Sequence, residues 1–152
     1  MTAPLPLFRQ TVRDEWIDYN GHLSEAYYVL VFGFATDALM AETGLDDAYR
    51  AESGCSLYTV EAHVRYLDEV ARGSALTVRT SVLGVDAKKV RFAHEMFVGE
   101  PGEAPVATEE LFALHVDQGT GRSAPLPEAT HRRLTGLVVP APAWAGRGIR
   151  AV

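Results

Sequence analysis

The sequence predicts an α+β domain in which one long helix packs against one antiparallel sheet. A run of helix-forming residues extends from Glu25 to Thr43. Four later runs alternate or concentrate apolar residues as strands do, and the turns between the last three are too short to hold crossover helices. The 152 residues, of which 47% are apolar, suffice for one domain with its own core.

The long helix has recognisable ends. Ser24 precedes its first turn as a capping residue, and Gly44 follows its last turn, where a left-handed backbone closes many helices. Its first half, residues 26–32, is apolar on every side, which predicts a central helix wrapped by other structure. A first strand is expected before it, over residues 7–13.

After the helix, the pattern predicts a loop over residues 46–54 and then a half-buried strand. That strand is expected to place one apolar set on a single face: Tyr58, Val60, Ala62, Val64 and Tyr66. Three more strands follow, over residues 75–83, 88–98 and 105–116. A short closing helix from Pro127 to Leu137 completes the order β-α-β-β-β-β-α, so the domain spans 1–137 and residues 138–152 form a C-terminal extension.

Composition excludes several function classes. A net charge of −6 argues against broad nucleic-acid binding. No apolar run reaches the roughly 18 residues that a membrane helix needs, and the amino terminus lacks the pattern of a secretory signal, so we expect a cytoplasmic location. Cys55 is the only cysteine, which rules out an internal disulfide. No tight histidine or carboxylate pair recurs, so no metal site is expected.

The segment between the first strand and the helix carries the predicted chemistry. A carboxylate in this position, Asp18, can activate water as a general base or attack a carbonyl carbon directly. Backbone N–H groups between His22 and Glu25, at the helix start, are suited to stabilise the resulting oxyanion. Gly21 permits a sharp turn and close approach of the substrate. The alternative is that Asp18 only caps the amides of the turn.

Residues beside Asp18 have both functional and structural interpretations. His22 either orients Asp18 or the substrate, or anchors the turn through backbone hydrogen bonds. Asn20 either holds the turn with its side-chain amide or contacts the substrate. Tyr28 belongs to the core or touches the substrate. We therefore include Asn20, Gly21 and His22 with Asp18 as catalytic-site candidates, and Tyr28 as a substrate-binding candidate.

The Asp-x-x-Gly-His turn at residues 18–22, with Tyr28 at the start of a long buried helix, resembles the 4-hydroxybenzoyl-CoA thioesterase branch of the hotdog-fold proteins. Residues 60–70 and Gly73 are similar to that family's second strand and turn, so the resemblance covers about residues 7–117. It implies a hotdog fold, with a five-stranded antiparallel sheet around the helix. It also implies hydrolysis of a small acyl-CoA thioester, with no metal or redox cofactor and with coenzyme A only as part of the substrate. Asparagines common in that family are replaced here by Ser24 and Glu25.

Within that branch, residues 15–22 and 54–57 most resemble the thioesterases of carnitine breakdown, which cleave betainyl-CoA. A trimethylammonium acyl group needs aromatic faces and a carboxylate, and the candidates are Trp16, Tyr19, Tyr58 and Glu61. Glu61 has two other interpretations, a solvent-facing residue or a partner of Arg65.

The densest basic cluster is a candidate for the phosphates of coenzyme A: Lys88, Lys89 and Arg91. The alternative is a strand edge protected by lysines.

Other functions and the assembly state follow from the same pattern. A hotdog enoyl-CoA hydratase has an Asp-x-Asn-x-x-His arrangement, but here His22 comes one residue too early after Asp18 and Asn20. A non-catalytic acyl-CoA-binding module would not need Asp18. One helix cannot cover both faces and both edges of a five-stranded sheet, so we expect a homodimer or homotetramer.

Overall fold

The computed structural model describes residues 3–152 and confirms the α+β fold. Four long strands and the four-residue β1 form an antiparallel sheet in the order β1-β3-β4-β5-β2, and the two-residue β6 pairs with β5. A single turn of 3₁₀ helix at Asp14–Trp16 precedes the long helix. The elements are β1 (Phe8–Thr11), α1 (Glu25–Glu42), α2 (Asp47–Ser53), β2 (Cys55–Tyr66), β3 (Ala75–Val85), β4 (Lys89–Val98), β5 (Ala107–Asp117), β6 (Arg122–Ser123) and α3 (Glu128–Leu137).

The ends of α1 lie where the sequence predicts them. Gly44 has a φ of +92°, and the Leu45 N–H donates to the Met40 carbonyl over 2.8 Å, which closes the helix with a left-handed cap. Ser24 occupies the N-cap position in an extended conformation, but its hydroxyl makes no capping hydrogen bond within the described chain. The first amides of α1 therefore lack the side-chain acceptor that usually satisfies them.

The core lies between α1 and the face of the sheet that we call the inner face. A fully buried histidine on β4, His94, links three elements there. Its Nε2 is 2.8 Å from the Thr36 hydroxyl on α1, and its Nδ1 is 2.8 Å from the Thr80 hydroxyl on β3. Burial lowers the pKa of His94 to about 3, so the imidazole is neutral in the folded protein.

Contrary to the sequence prediction, α1 is not wrapped on every side within one chain. An apolar stripe at helical spacing is exposed: Ala26, Val29, Leu30 and Gly33. No element of residues 3–152 covers this stripe. No single helix in the same part of the chain is long and apolar enough to span a membrane, although α1 and α2 together, bent by 72°, have the length and composition of a broken span.

The predicted loop over residues 46–54 is wrong, because most of it forms α2. Asp46 caps this helix by accepting a hydrogen bond of 2.9 Å from the Tyr49 N–H, and Gly54 ends it with a φ of +71°. Only seven residues are helical, with none fully buried. A helix this short and exposed shows no apolar periodicity that would distinguish it from a loop.

The predicted single apolar face of β2 is also wrong, because a β-bulge at Val60 interrupts the strand. Thr59 pairs with Ala113 and Glu61 with Phe112, which leaves Val60 without a partner in the ladder. Up to Thr59 the odd-numbered residues face inward with the buried alternate residues of β5, and after the bulge the even-numbered ones do. Tyr58 and Glu61 consequently both point to the outer face.

The C-terminal extension runs across the outer face of the sheet. The Val139 N–H donates to the Val82 carbonyl over 3.0 Å on β3, and the Gly146 N–H donates to Glu110 Oε1 over 2.6 Å on β5. Arg65 on β2 lies over the Trp144 ring at 5.1 Å. On this face, the contacts attach the extension to β3 on one side of β4 and to β5 and β2 on the other.

Candidate active site

Residues 18–22 form a tight turn just before α1. The Asp18 N–H donates to the His22 carbonyl over 2.9 Å, and the Gly21 N–H donates to the Asp18 carbonyl over 3.0 Å. Gly21 has a φ of +81°, in the left-handed region that residues with a side chain rarely adopt. The turn therefore depends on a glycine at this position, as the sequence predicts.

The Asp18 carboxylate has one oxygen in the turn and one outside it. Its Oδ1 accepts hydrogen bonds from the Asn20 N–H at 2.8 Å and the His22 N–H at 3.4 Å. Its Oδ2 accepts none from the described residues. The capping interpretation therefore applies to Oδ1, which fixes the orientation of the carboxylate, whereas Oδ2 carries no hydrogen bond from the described residues.

The amides available to an oxyanion are fewer than the sequence suggests. The His22 N–H is bonded to Asp18, the Leu23 N–H donates to the Val70 carbonyl at 2.9 Å, and the Ser24 N–H donates to the Trp16 carbonyl at 3.0 Å. The next two amides, of Glu25 and Ala26, donate to no group between residues 3 and 152. Because they lie in the first turn of an 18-residue helix, they also carry its positive dipole end.

Asp18 lies in an open cleft of about 880 Å³ between the turn, the start of α1 and the end of β2. The cleft is acidic, since four carboxylate residues line it together with a single histidine. The lining residues are Asp18, Asn20, His22, Leu23, Glu25, Tyr28, Tyr66, Leu67, Asp68 and Glu69. The imidazole Nε2 of His22 is 3.2 Å from Glu69 Oε2, so its ring is directed at Glu69.

Two tyrosine rings form the wall between the cleft and the core. Tyr28 and Tyr66 meet edge to face at 5.2 Å. The Tyr28 hydroxyl donates to the Asp68 carbonyl at 3.0 Å, and the Tyr66 hydroxyl reaches the Glu25 carbonyl at 3.4 Å. Burial, and then the nearby carboxylates of Glu25 and Glu109, raise the pKa of Tyr66. This wall is therefore aromatic and close to negative charge.

Glu109 is an inner-face carboxyl that sequence reasoning missed. It lies opposite Val64 on β2 and His94 on β4, and it is only 4% exposed. No hydrogen bond to its carboxylate occurs in the described part of the chain, and burial raises its pKa to about 7. The available signal was an acidic residue in phase with Ala107 and Leu111, the inward-facing residues on either side of it in β5.

The structure brings some of the predicted site residues together. Asp18, Asn20, His22 and Tyr28 share the cleft, and Gly21 shapes its turn. Trp16 is buried and stacks on Tyr27 at 5.7 Å, which turns it toward the core.

The other predicted substrate-binding residues lie outside the cleft of their own chain. Tyr19 is 98% exposed. Tyr58 and Glu61 point to the outer face because of the bulge.

The predicted phosphate-binding cluster lies far from Asp18 within one chain. Lys88 and Lys89 stand at the beginning of β4, where their amides donate to Asp86 Oδ1 at 2.9 and 2.8 Å. The cleft lies near the opposite end of the sheet, beside the end of β2. Arg91 is paired with Glu110 over 2.6 Å, so its charge is already neutralised.

The described residues contain no group of three or more His, Cys, Asp or Glu side chains that could hold a metal ion. Cys55 is half-buried at the beginning of β2, away from the cleft.

Comparison with known proteins identifies the family. Residues 12–134 match the family model described as the thioesterase-like superfamily. The chain belongs to the thioesterase-like superfamily. The predicted thioesterase family and hotdog fold are thereby confirmed.

Two relatives in this superfamily align along nearly the whole chain. A betainyl-CoA thioesterase of Pseudomonas aeruginosa is 41% identical over 98% of this chain and 96% of its own length. An L-carnitine dehydrogenase/betainyl-CoA thioesterase of Agrobacterium fabrum is 48% identical over 98% of this chain. The present chain spans only 31% of that longer protein.

Two solved structures share the fold. A candidate thioesterase of Pseudomonas putida KT2440 is 38% identical, with a TM-score of 0.82 over 99% of both chains. A Staphylococcus aureus protein solved in complex with CoA has a TM-score of 0.89 over 100% of this chain and 98% of its own. At 24% identity, the second likeness concerns the fold alone.

Proposed function

We propose that this chain hydrolyses an acyl-CoA thioester to a free acid and coenzyme A, with Asp18 as the reacting carboxylate. The observation that carries the proposal is that Asp18, whose Oδ2 is unbonded, and Glu25, whose amide is unbonded, line one cleft at the start of α1. The unbonded amide of Ala26 follows in the same first turn of the helix. The similarity to betainyl-CoA thioesterases supports it. No metal or redox cofactor is needed for this reaction.

In the proposed mechanism, the thioester carbonyl oxygen accepts hydrogen bonds from the Glu25 and Ala26 amides as negative charge develops on it. Asp18 either removes a proton from the attacking water or attacks the carbonyl carbon itself to form an anhydride that water opens. In the general-base route, one C–O bond forms to water and the C–S bond breaks. In the anhydride route, the C–O bond to Asp18 forms as the C–S bond breaks, and water then forms a second C–O bond and breaks one C–O bond of the anhydride. Both routes release the thiol of coenzyme A after protonation. Single-turnover hydrolysis in H₂¹⁸O that leaves label on Asp18 would establish the anhydride route.

The test of this role is Asp18→Asn, which keeps the hydrogen-bond acceptor for the turn but removes the charge. We expect a folded protein that still binds coenzyme A and loses about 10²–10⁴-fold in thiol release. Circular dichroism and calorimetric titration with coenzyme A check folding and binding. Unchanged thiol release in the variant would refute the role of Asp18, and it would favour a non-catalytic use of this residue.

We further propose betainyl-CoA as the substrate. The cleft lined by Asp18, Glu25 and two further carboxylates repels an anionic acyl group and attracts a cationic one. Tyr28 and Tyr66 offer aromatic faces of the kind that bind trimethylammonium groups. The carboxyl of Glu109 behind Tyr66 adds to the negative potential whenever it is ionised.

The substrate proposal is tested with a pair of thioesters that differ only in charge. Betainyl-CoA and 3,3-dimethylbutanoyl-CoA have the same shape, but the second replaces the quaternary nitrogen with carbon. We expect kcat/KM to favour betainyl-CoA by about tenfold or more, as a desolvated cation–π contact and nearby carboxylates allow. Equal values for the two thioesters would exclude a site built for a cation.

Hydration of an enoyl-CoA, the nearest alternative reaction, receives no support from the geometry. That chemistry needs a carboxylate and an imidazole directed at one pair of carbons. Here the His22 ring points to Glu69, whereas Asp18 lines the cleft together with Glu25 in the first turn of α1.

We also propose that the protein is a homodimer or homotetramer. β2 is an edge strand of twelve residues with exposed Tyr58, Val60 and Tyr66, and the described residues supply no strand for its free side. On α1, Val29 and Leu30 belong to a second exposed apolar area. Light scattering that gives a monomer at micromolar concentration would contradict this assembly. A cytoplasmic location accords with use of coenzyme A and is part of the same proposal.

A further inference from the structure

Three arginines gather on the outer face beside the edge strand. Arg65 projects from β2, and Arg147 and Arg150 come from the C-terminal extension that crosses this face. Together with His63 and Ile149 they line a cavity of about 350 Å³. Such clustering is unexpected in a chain of net charge −6.

None of the three guanidinium groups has a carboxylate within ion-pair distance in the described structure, although other arginines do. Arg91 on β4, for example, is paired with Glu110 on β5 at 2.6 Å. Burial, and then the charges of Arg147 and Arg150, lower the pKa of Arg65. Like charges held together in this way repel each other, and an anionic ligand would relieve that repulsion.

Two contacts hold the Arg65 side chain in place. Its Nε donates to the Thr108 hydroxyl over 3.1 Å, and its guanidinium lies over the Trp144 ring at 5.1 Å. Only one of its nitrogens is used in the hydrogen bond, so the terminal nitrogens remain for a ligand. Planar guanidinium groups of this kind bind phosphate oxygens in pairs.

A buried polar atom of His63, a residue that lines the same cavity, also lacks a partner in the described structure. The Nδ1 atom of His63 is buried and makes no hydrogen bond within residues 3–152. A buried polar atom without a partner is costly, so such atoms are usually bonded to a ligand, a water or an ion. His63 lines this cavity two residues before Arg65 on the same face of β2.

The arginine cavity adjoins the cleft that contains Asp18. Both are lined by Tyr66 and Leu67, so they lie on either side of the end of β2. Acyl-CoA has its charged groups, a diphosphate and a 3′-phosphate, at one end of a flexible pantetheine arm and its thioester at the other. A ligand with one anionic end and one reactive end can therefore occupy both cavities.

We propose that Arg65, Arg147 and Arg150 bind the phosphate groups of the coenzyme A nucleotide while its thioester reaches the Asp18 cleft. This rests on the proposed function for the identity of the ligand. It assigns the phosphate site to the C-terminal extension and the outer face of β2, and it takes that role away from Lys88 and Lys89.

The binding experiment is calorimetric titration of the full chain with adenosine 3′,5′-bisphosphate and with coenzyme A, and it does not depend on turnover. We expect the double variant R147A/R150A to weaken binding of both ligands by about tenfold or more, since charge-assisted hydrogen bonds are lost. Arg132→Ala, an exposed arginine on α3, is the matched control. The double variant K88A/K89A tests the rival cluster. Weaker binding in K88A/K89A with unchanged binding in R147A/R150A would overturn the proposal.

Kinetics with a shortened substrate separates this proposal from the proposed function. An acyl-pantetheine has the thioester but no nucleotide, so the ratio of kcat/KM for acyl-CoA to that for acyl-pantetheine reports on the phosphate site. We expect R147A/R150A to lower this ratio about tenfold, through KM for acyl-CoA. A ratio equal to that of the unmodified protein would overturn the phosphate site. If the unmodified chain hydrolyses neither thioester, the proposed function fails, and the titration still decides whether the arginines bind the nucleotide.

Discussion

Replacing Glu109 with glutamine is expected to stabilise the folded protein at pH 8 and to leave its stability nearly unchanged at pH 4. The glutamate is buried between β5 and α1 with no hydrogen bond or cation from the described residues, and burial raises its pKa from 4.5 to about 7. Ionisation of Glu109 therefore costs more in the folded protein than in the unfolded chain. Glutamine occupies nearly the same volume and cannot ionise.

The magnitude and its pH range follow from that pKa. Each tenfold difference in proton affinity between the folded and unfolded states corresponds to about 1.4 kcal/mol. Between pH 4.5 and about 7 the folded protein holds a proton at Glu109 that the unfolded chain has released, so the free energy of unfolding falls as the pH rises. Above that range the loss is complete and amounts to about 3 kcal/mol. Below pH 4.5 both states are protonated and no penalty exists.

The assay is urea unfolding of the unmodified protein and of Glu109→Gln at pH 4 and pH 8, at equal protein concentration. We expect the variant to gain about 3 kcal/mol at pH 8, which corresponds to a rise of roughly 6–12 °C in Tm. Glu61→Gln is the control, because Glu61 is exposed on the neighbouring strand. A variant no more stable than the unmodified protein at pH 8 would show that this carboxyl has a compensating partner. Glu109 would then not add to the negative potential of the cleft.

Three further substitutions test the local structure. His94→Leu removes the partner of the Thr36 hydroxyl and is expected to cost about 2 kcal/mol or more. Because burial lowers the pKa of His94 to about 3, the contribution of this histidine to stability falls as the pH drops below 6.5, opposite in sign to the contribution of Glu109. Urea unfolding should therefore show that the variant gains stability relative to the unmodified protein as the pH falls. Gly44→Ala should lower Tm, since the new Cβ would lie 2.9 Å from Thr130 Oγ1 at a φ of +92°, and a melting temperature equal to that of the unmodified protein would contradict this cap. Gly21→Ala should reduce thiol release more than stability, because it strains the turn that orients Asp18, and a fully active variant would separate the turn from catalysis.

The features that could be predicted from the sequence are those determined by residues close together along the chain. The end of α1 and the turn around Gly21 depend on a left-handed backbone that glycine adopts most readily, so Gly44 and Gly21 mark them correctly. Ser24 marks the start of α1, although its hydroxyl makes no capping hydrogen bond within the described chain. The strands after residue 75 alternate regularly and are joined by short turns, which identifies them and their antiparallel order. The short helix α2 has no comparable pattern, because seven exposed residues cannot express a helical period.

The remaining features depend on contacts between distant segments. Which amides at the start of α1 stay free is decided by carbonyls of Trp16 and Val70, and no local pattern reveals those partners. The arginine cavity arises because the C-terminal extension returns across the sheet to β2, a path that irregular proline- and glycine-rich sequence does not indicate. Glu109 could have been recognised as an inward-facing acid, but its lack of a partner is visible only in three dimensions.

The bulge at Val60 decides which way the second half of β2 faces. Deleting Val60 would let the hydrogen-bond ladder continue without interruption and leave every other residue of the strand opposite its present partner on β5. Pairing Val60 with Phe112 instead would move each later residue by one position. Arg65 would then turn toward α1 and Tyr66 toward the outer face, so the proposed phosphate site and the proposed acyl site would lose a residue each. Homologous chains should therefore vary freely in which residue occupies this exposed position, and a homologue that lacks it should keep the same residues on each face of β2.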